Sequence, residues 1–208
     1  MQEARVETRS ARKNREILEA ATTVFLRSGY VGCSMDEVAA LAKVSKQTVY
    51  KHYTDKEHLF TTVVAALMGP IAEGNRSAAA ALEDADDLGD GLRQLARSLL
   101  VMLRDPQVLQ LRRLVMAEAE RFPALGRTYW EQAFHLGLET VATALRKASA
   151  QGPLKVDDPE AAAGHFAGLV LWIPMNRAMF CGLPEEFTDA EIDQRADQAV
   201  RAFLAAYG

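Results

Sequence analysis

The stretch Ser34 to Phe60, SMDEVAALAKVSKQTVYKHYTDKEHLF, constrains this chain more than any other. Ser34-Met35-Asp36-Glu37 fits a capping box, in which the serine oxygen takes an amide of the first turn and Glu37 reaches back. Val38, Ala39, Leu41 and Ala42 supply the inner face of the helix that follows. That helix must stop near Lys43, because Val44-Ser45 starts again with a capping serine. The next helix covers Lys46 to Tyr53, and Thr54-Asp55-Lys56-Glu57 is a second box that opens a fourth helix carrying Leu59, Phe60, Val63, Val64 and Leu67. Two short helices joined by a tight turn form a helix-turn-helix: one braces across the DNA backbone and the other enters the major groove.

The entering helix has the chemistry for that task. Lys46, Gln47, Thr48, Lys51 and His52 face outwards, with Tyr50 among them. The Gln47 amide can both donate to and accept from adenine, which makes it the best candidate for a base edge. Lys46 and Lys51 can bond guanine or approach phosphates. Ser34, Ser45, Thr48, Tyr50 and Lys56 carry the hydroxyl or ammonium groups that phosphates attract. Helix starts at Ser34 and Thr54 add amide donors. Val44 is the expected buried residue of the turn, and Val38, Leu41 and Val49 the core between the two helices.

The rest of the chain is expected to be helical too. Ala and Leu dominate the 208 residues, and β-branched residues form no alternating runs. A first helix runs from Ala11 to Arg27 with Ile17, Ala20, Ala21, Val24 and Phe25 on one face, and Gly29 follows as a natural stop. Gly69-Pro70 interrupts or ends the fourth helix, and residues 71–84 are helical again. Leu92, Leu95, Leu99 and Leu103 share a face of the next. Asp105-Pro106 starts a helix ending near Phe122-Pro123, and a long one follows to Ser149 with Trp130, Phe134, Leu138, Val141 and Leu145 on a stripe. After a loop from Gln151 to Asp157, Asp158-Pro159 opens a helix to Cys181 that Pro174 kinks. A second loop spans Gly182 to Phe187, and the box Thr188-Asp189-Ala190-Glu191 opens the last helix.

The expected fold is therefore all-α: a helix-turn-helix domain over 1–58, then a helical bundle over 59–208. Net charge is -4, but residues 1–58 hold ten Lys/Arg against eight Asp/Glu, and Arg9 to Arg15 hold four basic residues and no acid. A local basic patch, not the whole-chain sum, governs attraction to DNA. The first twenty residues lack an apolar segment, and the run Phe166 to Met175 falls short of the about 20 residues a bilayer needs. A cytoplasmic protein without membrane contact is expected. Cys33 and Cys181 read as small core residues rather than a disulfide framework.

Residues 10–60 closely resemble the N-terminal domain of TetR/AcrR-family transcriptional regulators. The resemblance rests on Ile17 to Phe25, Gly29-Tyr30, Ser34, Val38-Ala39, Ala42, Val44-Ser45, Thr48, Tyr50, His52-Tyr53, Lys56-Glu57 and Leu59. It implies phosphate contacts for Tyr50 and Lys56 and an aromatic at Tyr53 packed beneath the reading helix. Two positions depart from the pattern. Lys43 stands where the family usually has glycine; if that position is left-handed, a lysine there costs about 1 kcal/mol, which an extra charge beside the DNA offsets. Gln47 replaces a commonly small residue, so the family's base preference does not transfer.

The runs RRLVMAEAERFPAL and DPEAAAGHFAGLVLWIP resemble the AefR-like branch of the family's C-terminal domains. That implies a homodimer, usually a repressor, released from a palindromic operator by a small apolar effector. Gly164 and Gly168, one helical turn apart, and the stripe Ile192, Ala199, Val200 and Phe203 are the candidate dimer surface. Met102, Met116, Trp130, Phe134, Trp172 and Met175 are candidate pocket walls, with Arg113, His135 and Asn176 as polar anchors. No nucleophile elbow, phosphate loop, dinucleotide fingerprint or zinc-peptidase motif occurs, and no Cys/His cluster has metal-ligand spacing. Neither catalysis nor a cofactor or metal is expected; His135 reads as a helix-surface partner of Glu131 or Glu139. The alternative is a helical module that uses its helix-turn-helix to bind another protein instead of DNA.

Overall fold

The computed structural model describes residues 9–83, 87–150, 152, 154–182 and 187–208. Residues 1–8, 84–86, Gln151 and Pro153 of the first expected loop, and 183–186 of the second lie outside the described residues. Among the described residues there are ten α-helices and no strand. They are α1 (Arg9–Gly32), α2 (Met35–Leu41), α3 (Lys46–His52), α4 (Lys56–Glu83), α5 (Leu88–Val101), α6 (Pro106–Glu118), α7 (Pro123–Tyr129), α8 (Leu136–Ala150), α9 (Pro159–Cys181) and α10 (Asp189–Tyr207). A short 3₁₀ turn, Met102–Arg104, follows α5, and a π-helical stretch, Trp130–His135, joins α7 to α8.

Most helix starts are where the local code put them. Ser34, Ser45, Asp87, Asp158 and Thr188 each accept an amide of the first turn on their side-chain oxygen. Asp105 does the same for Gln107 N at 2.8 Å. Three expectations are corrected. The start of α4 is capped by Asp55, whose Oδ1 accepts from His58 N at 2.8 Å, and not by Thr54; the two oxygen-bearing residues are adjacent and compete for one role. Glu37 pairs with Arg27 rather than reaching back. And α4 runs unbroken for 28 residues through Gly69 and Pro70. Proline removes one amide donor, and the remaining helical bonds on either side hold the segment together. As expected, α9 reaches Cys181 with Pro174 inside it, whereas α6 stops at Glu118, short of the expected Phe122.

The described chain forms two compact units. One takes residues up to Ala66 together with Gln110–Tyr129; the other takes Leu67–Leu109 and Trp130–Gly208. The first unit therefore recruits a segment well beyond the 58/59 boundary drawn from sequence. Its buried side chains include Ile17, Val24, Phe25, Val38, Val49, Leu59 and Phe60, all without exposed surface. Phe25, Tyr30 and Phe60 meet at centroid distances of 5.3 to 6.0 Å, and Phe122 closes on Tyr30 at 5.0 Å. Gly29, at φ 73°, bends the chain between α1 proper and its last turn, a conformation glycine alone accepts without strain.

In the second unit α10 packs along α5 and α9, and α8 along α9. Leu92, Leu95, Leu103, Val141, Leu145, Phe166, Ile192, Val200 and Phe203 fill one continuous core. Phe166 and Phe203 meet edge to face at 5.2 Å. Asn75 on α4 is buried, and its Oδ1 accepts from Ser98 Oγ at 2.8 Å, which satisfies it. Cys33 is buried, but Cys181 is exposed, contrary to the expectation that both are core residues.

Candidate nucleic-acid interface

The first unit packs α2 against α3 across the turn between them. Ser45 caps α3 by accepting from Thr48 N at 3.1 Å, and its hydroxyl also bonds the Thr48 hydroxyl at 2.8 Å. Val49 on the inner face is fully buried against the unit. Tyr53 ends α3 beneath it, buried, with its hydroxyl donating to Asn14 Oδ1 of α1 at 2.6 Å. Burial pushes the Tyr53 phenol's pKa up, so it stays a donor. These anchors leave Lys46, Gln47, Tyr50 and Lys51 exposed and Thr48 and His52 half-buried, all on the outward side. The expected core of the turn is corrected in part: Leu41 is exposed and Val44 only half-buried, so Val38 and Val49 carry the contact.

Lys43, in the turn, has φ 54°, the left-handed region where a side chain crowds the backbone. Its amide still donates to Ala40 O at 3.2 Å. Lys43→Gly is expected to raise the stability of this unit by about 1 kcal/mol, read as a higher denaturation midpoint. The same variant should bind duplex DNA more weakly at low salt, because it removes an exposed positive charge from the turn.

Two lysines are engaged in ways the sequence did not reveal. Lys46 Nζ lies 2.7 Å from Asp36 Oδ1 and 5.9 Å from the Tyr50 ring. The hydrogen bond to Asp36, then its charge, raises the Lys46 pKa. Lys56 is half-buried and turns towards the end of α1. It donates to Cys33 O at 3.2 Å and sits 4.7 Å over the Tyr30 ring. The Lys56 ammonium carries three donors, so it can hold the Cys33 carbonyl and still donate to a phosphate, as the family resemblance implies. Burial pushes the neighbouring Cys33 thiol up to about 11, with Lys56 opposing, so the thiol is protonated and unreactive.

The remaining candidates are scattered. Arg113 and Met116 belong to the first unit; Met102, Trp130, Phe134, His135, Trp172, Met175 and Asn176 belong to the second. Met116, Trp130, Phe134 and Trp172 are exposed, which corrects their assignment as interior walls. Trp130 and Phe134 stack on each other at 4.8 Å in the π-helical stretch. Met175 is buried, Met102 and Asn176 are half-buried, and Asn176 Nδ2 donates to Trp172 O. His135 pairs with Glu139 at 3.3 Å on the helix surface.

The dimer candidates divide. Ile192, Ala199, Val200 and Phe203 point into the core of their own chain and are nearly or wholly buried, so they are not available to a partner. Gly164 and Gly168 are exposed on α9, and a Cβ at either would meet nothing within 4 Å. The exposed part of α9 also carries Leu169, Trp172, Ile173 and Phe180, the last 83% exposed. Among the described residues no helix is long and apolar enough to cross a membrane, and no cluster of three His, Cys, Asp or Glu could hold a metal ion.

A capped brace, a left-handed turn and an anchored helix with a polar outer face define a helix-turn-helix DNA-binding protein. Residues 17–63 match the family model of bacterial regulatory proteins of the tetR family, and residues 90–208 match that of the AefR-like transcriptional repressor C-terminal domain. The second match covers more than half of the chain, and the chain belongs to the TetR family of transcriptional regulators. It is 44% identical over 63 residues to the DNA-binding transcriptional repressor TetR of Mycobacteroides abscessus, covering 30% of this chain and 31% of that protein. The chain spans under a third of the length of the first curated relatives it matches. It is 26% identical to the regulator SrpR of Pseudomonas putida over 74% of this chain and 70% of that one. A TetR-family regulator from Mesorhizobium loti superposes with a TM-score of 0.87 at 47% identity, over 97% of this chain and all of that one. The flavonoid-responsive regulator FrrA superposes at 0.78 with 29% identity, over 94% and 97% of the two chains.

Proposed function

We propose that this regulator is a homodimeric repressor that grips a palindromic operator and is released by a small apolar effector. The observation that carries the reading is α3: Val49 and Tyr53 lock it from below while Gln47, Tyr50 and Lys51 are exposed above, with Lys46 exposed beside Asp36. Gln47 supplies the base-edge contact, and Ser34, Lys43, Ser45, Thr48, Tyr50, Lys51, His52 and Lys56 the surrounding backbone and groove contacts. Two reading helices on one two-fold axis suit half-sites about 34 Å apart.

The second copy is placed on the exposed side of α9. Leu169, Trp172, Ile173 and Phe180 follow helical spacing there, and Gly164 and Gly168 allow close approach. The effector belongs to the helical bundle of the second unit, where Met175 is the buried member of the expected set and Met102 and Asn176 are half-buried. The likeness to a flavonoid-responsive regulator supports a flat aromatic molecule. Release requires the effector to bind better to the conformer that fits DNA worse.

The test is binding of the purified protein to duplex DNA flanking its own coding region, with footprinting and a salt titration. Affinity is expected to drop about a thousandfold or more between low and physiological salt, because each phosphate contact releases counterions. Protection should appear as two symmetric half-sites. Salt-independent or absent binding to every fragment would return the helix-turn-helix to the protein-binding alternative.

A further inference from the structure

The Lys46 ammonium has a partner before DNA arrives. Lys46 is the first residue of α3, and Asp36 lies in the first turn of α2, ten positions earlier. The turn brings them together: Nζ stands 2.7 Å from Oδ1 and 3.0 Å from Oδ2, so one carboxylate holds the ammonium with both oxygens. The Tyr50 ring at 5.9 Å adds a weak attraction on the other side. Both charged groups are more than half exposed. The Asp36 carboxylate thus offers Lys46 the same chemistry as a phosphate: an anionic oxygen pair at hydrogen-bonding distance.

We propose that Asp36 is a specificity-determining residue, an internal competitor that keeps Lys46 off DNA phosphates until α3 is seated in a matching groove. The inference rests on the DNA-binding reading above. In a loosely held, unselected duplex a phosphate approaches Lys46 through water and must displace a carboxylate already in contact. The exchange is near neutral there, so Lys46 adds little to unselective affinity. In the seated complex the groove excludes water, and a guanine edge or a fixed phosphate offers Lys46 a contact that Asp36 does not match.

The test is a double-mutant cycle on duplex affinity with Asp36→Asn, Lys46→Gln and the pair. Each protein is titrated with sheared mixed-sequence DNA and with the duplex flanking its own coding region, across a salt series. Asp36→Asn should bind mixed-sequence DNA about threefold to fivefold more tightly at low salt, the range expected for freeing one exposed ion pair. The slope of log affinity against log salt should steepen by about 0.9, the value for one more phosphate contact. Affinity for the flanking duplex should rise less, so that selectivity narrows. In the Lys46→Gln background, Asp36→Asn should have little effect. Equal gains with and without Lys46 would mean simple repulsion by Asp36 and would overturn the proposal while leaving DNA binding intact. So would an unchanged salt slope, or a parallel gain on both duplexes. A wild-type protein with no affinity for either duplex would instead remove the DNA-binding reading, and this inference with it.

Discussion

Phe60→Ala is expected to destabilise the DNA-reading unit by about 3–5 kcal/mol, the range for deleting a fully enclosed aromatic ring. Phe60 has no exposed surface and meets Phe25 and Tyr30 edge to face at 5.3 and 5.5 Å. Those two rings belong to α1 and its last turn, and Tyr30 also contacts Phe122 from the later segment of the same unit. Removing the ring opens a cavity bounded by other rigid rings, which cannot collapse to fill it. A domain is stable by only about 5–15 kcal/mol, so this loss is a large share. Urea unfolding followed by circular dichroism should show an early transition in the variant, with DNA binding lost at the same denaturant concentration. A midpoint within about 1 kcal/mol of wild type would show that the cluster is not what holds α1 to α4.

Trp172→Asp is expected to turn the proposed homodimer into a monomer and to weaken binding to the proposed operator by more than about a hundredfold. Trp172 is 68% exposed within its own chain, beside Ile173 at 62%. A substitution there leaves the core of its own subunit undisturbed. In a two-fold interface every change appears twice, facing its own copy or near it. Two carboxylates enclosed without partners cost several kcal/mol, more than the hundredfold corresponds to. Sedimentation should give the monomer mass, and circular dichroism an unchanged helix content. A variant that stays dimeric would move the interface off this side of α9.

The start of α3 was legible in the sequence because its determinants are local, while its end falls at His52, one residue before the expected Tyr53. A cap joins an oxygen to an amide three residues away, and Ser34 and Ser45 both make that bond. Gly29 was legible for the same reason, since a positive φ is a one-residue property. Thr54 and Asp55 show the limit of such signals. Two neighbouring residues could both cap, and the backbone chose the second. Asn14 as the partner of Tyr53, 39 positions away, had no sequence signal at all. Neither did Asp36 as the partner of Lys46, since it depends on how the turn sets α2 against α3.

The second unit was legible as helices and illegible as a surface. An apolar stripe such as Ile192, Ala199, Val200 and Phe203 says that something covers it; periodicity does not say whether that is the same chain or another copy. Packing against α5 and α9 decided for the same chain. On α9 the difficulty is greater, because apolar residues surround the helix and give its periodicity no phase. Phe166 and Val170 turned inward, while Trp172, Ile173 and Phe180 were left outside.

Composition and caps determined by themselves that this chain is a string of helices with a helix-turn-helix pair after the first of them. Those signals act over three or four residues and survive any tertiary arrangement. Only the folded chain decided which apolar faces meet each other, which ions pair across a turn, and that Gln110–Tyr129 joins the N-terminal helices. Such choices are made between surfaces distant in sequence, where burial of one face competes with burial of another and no single segment holds the answer.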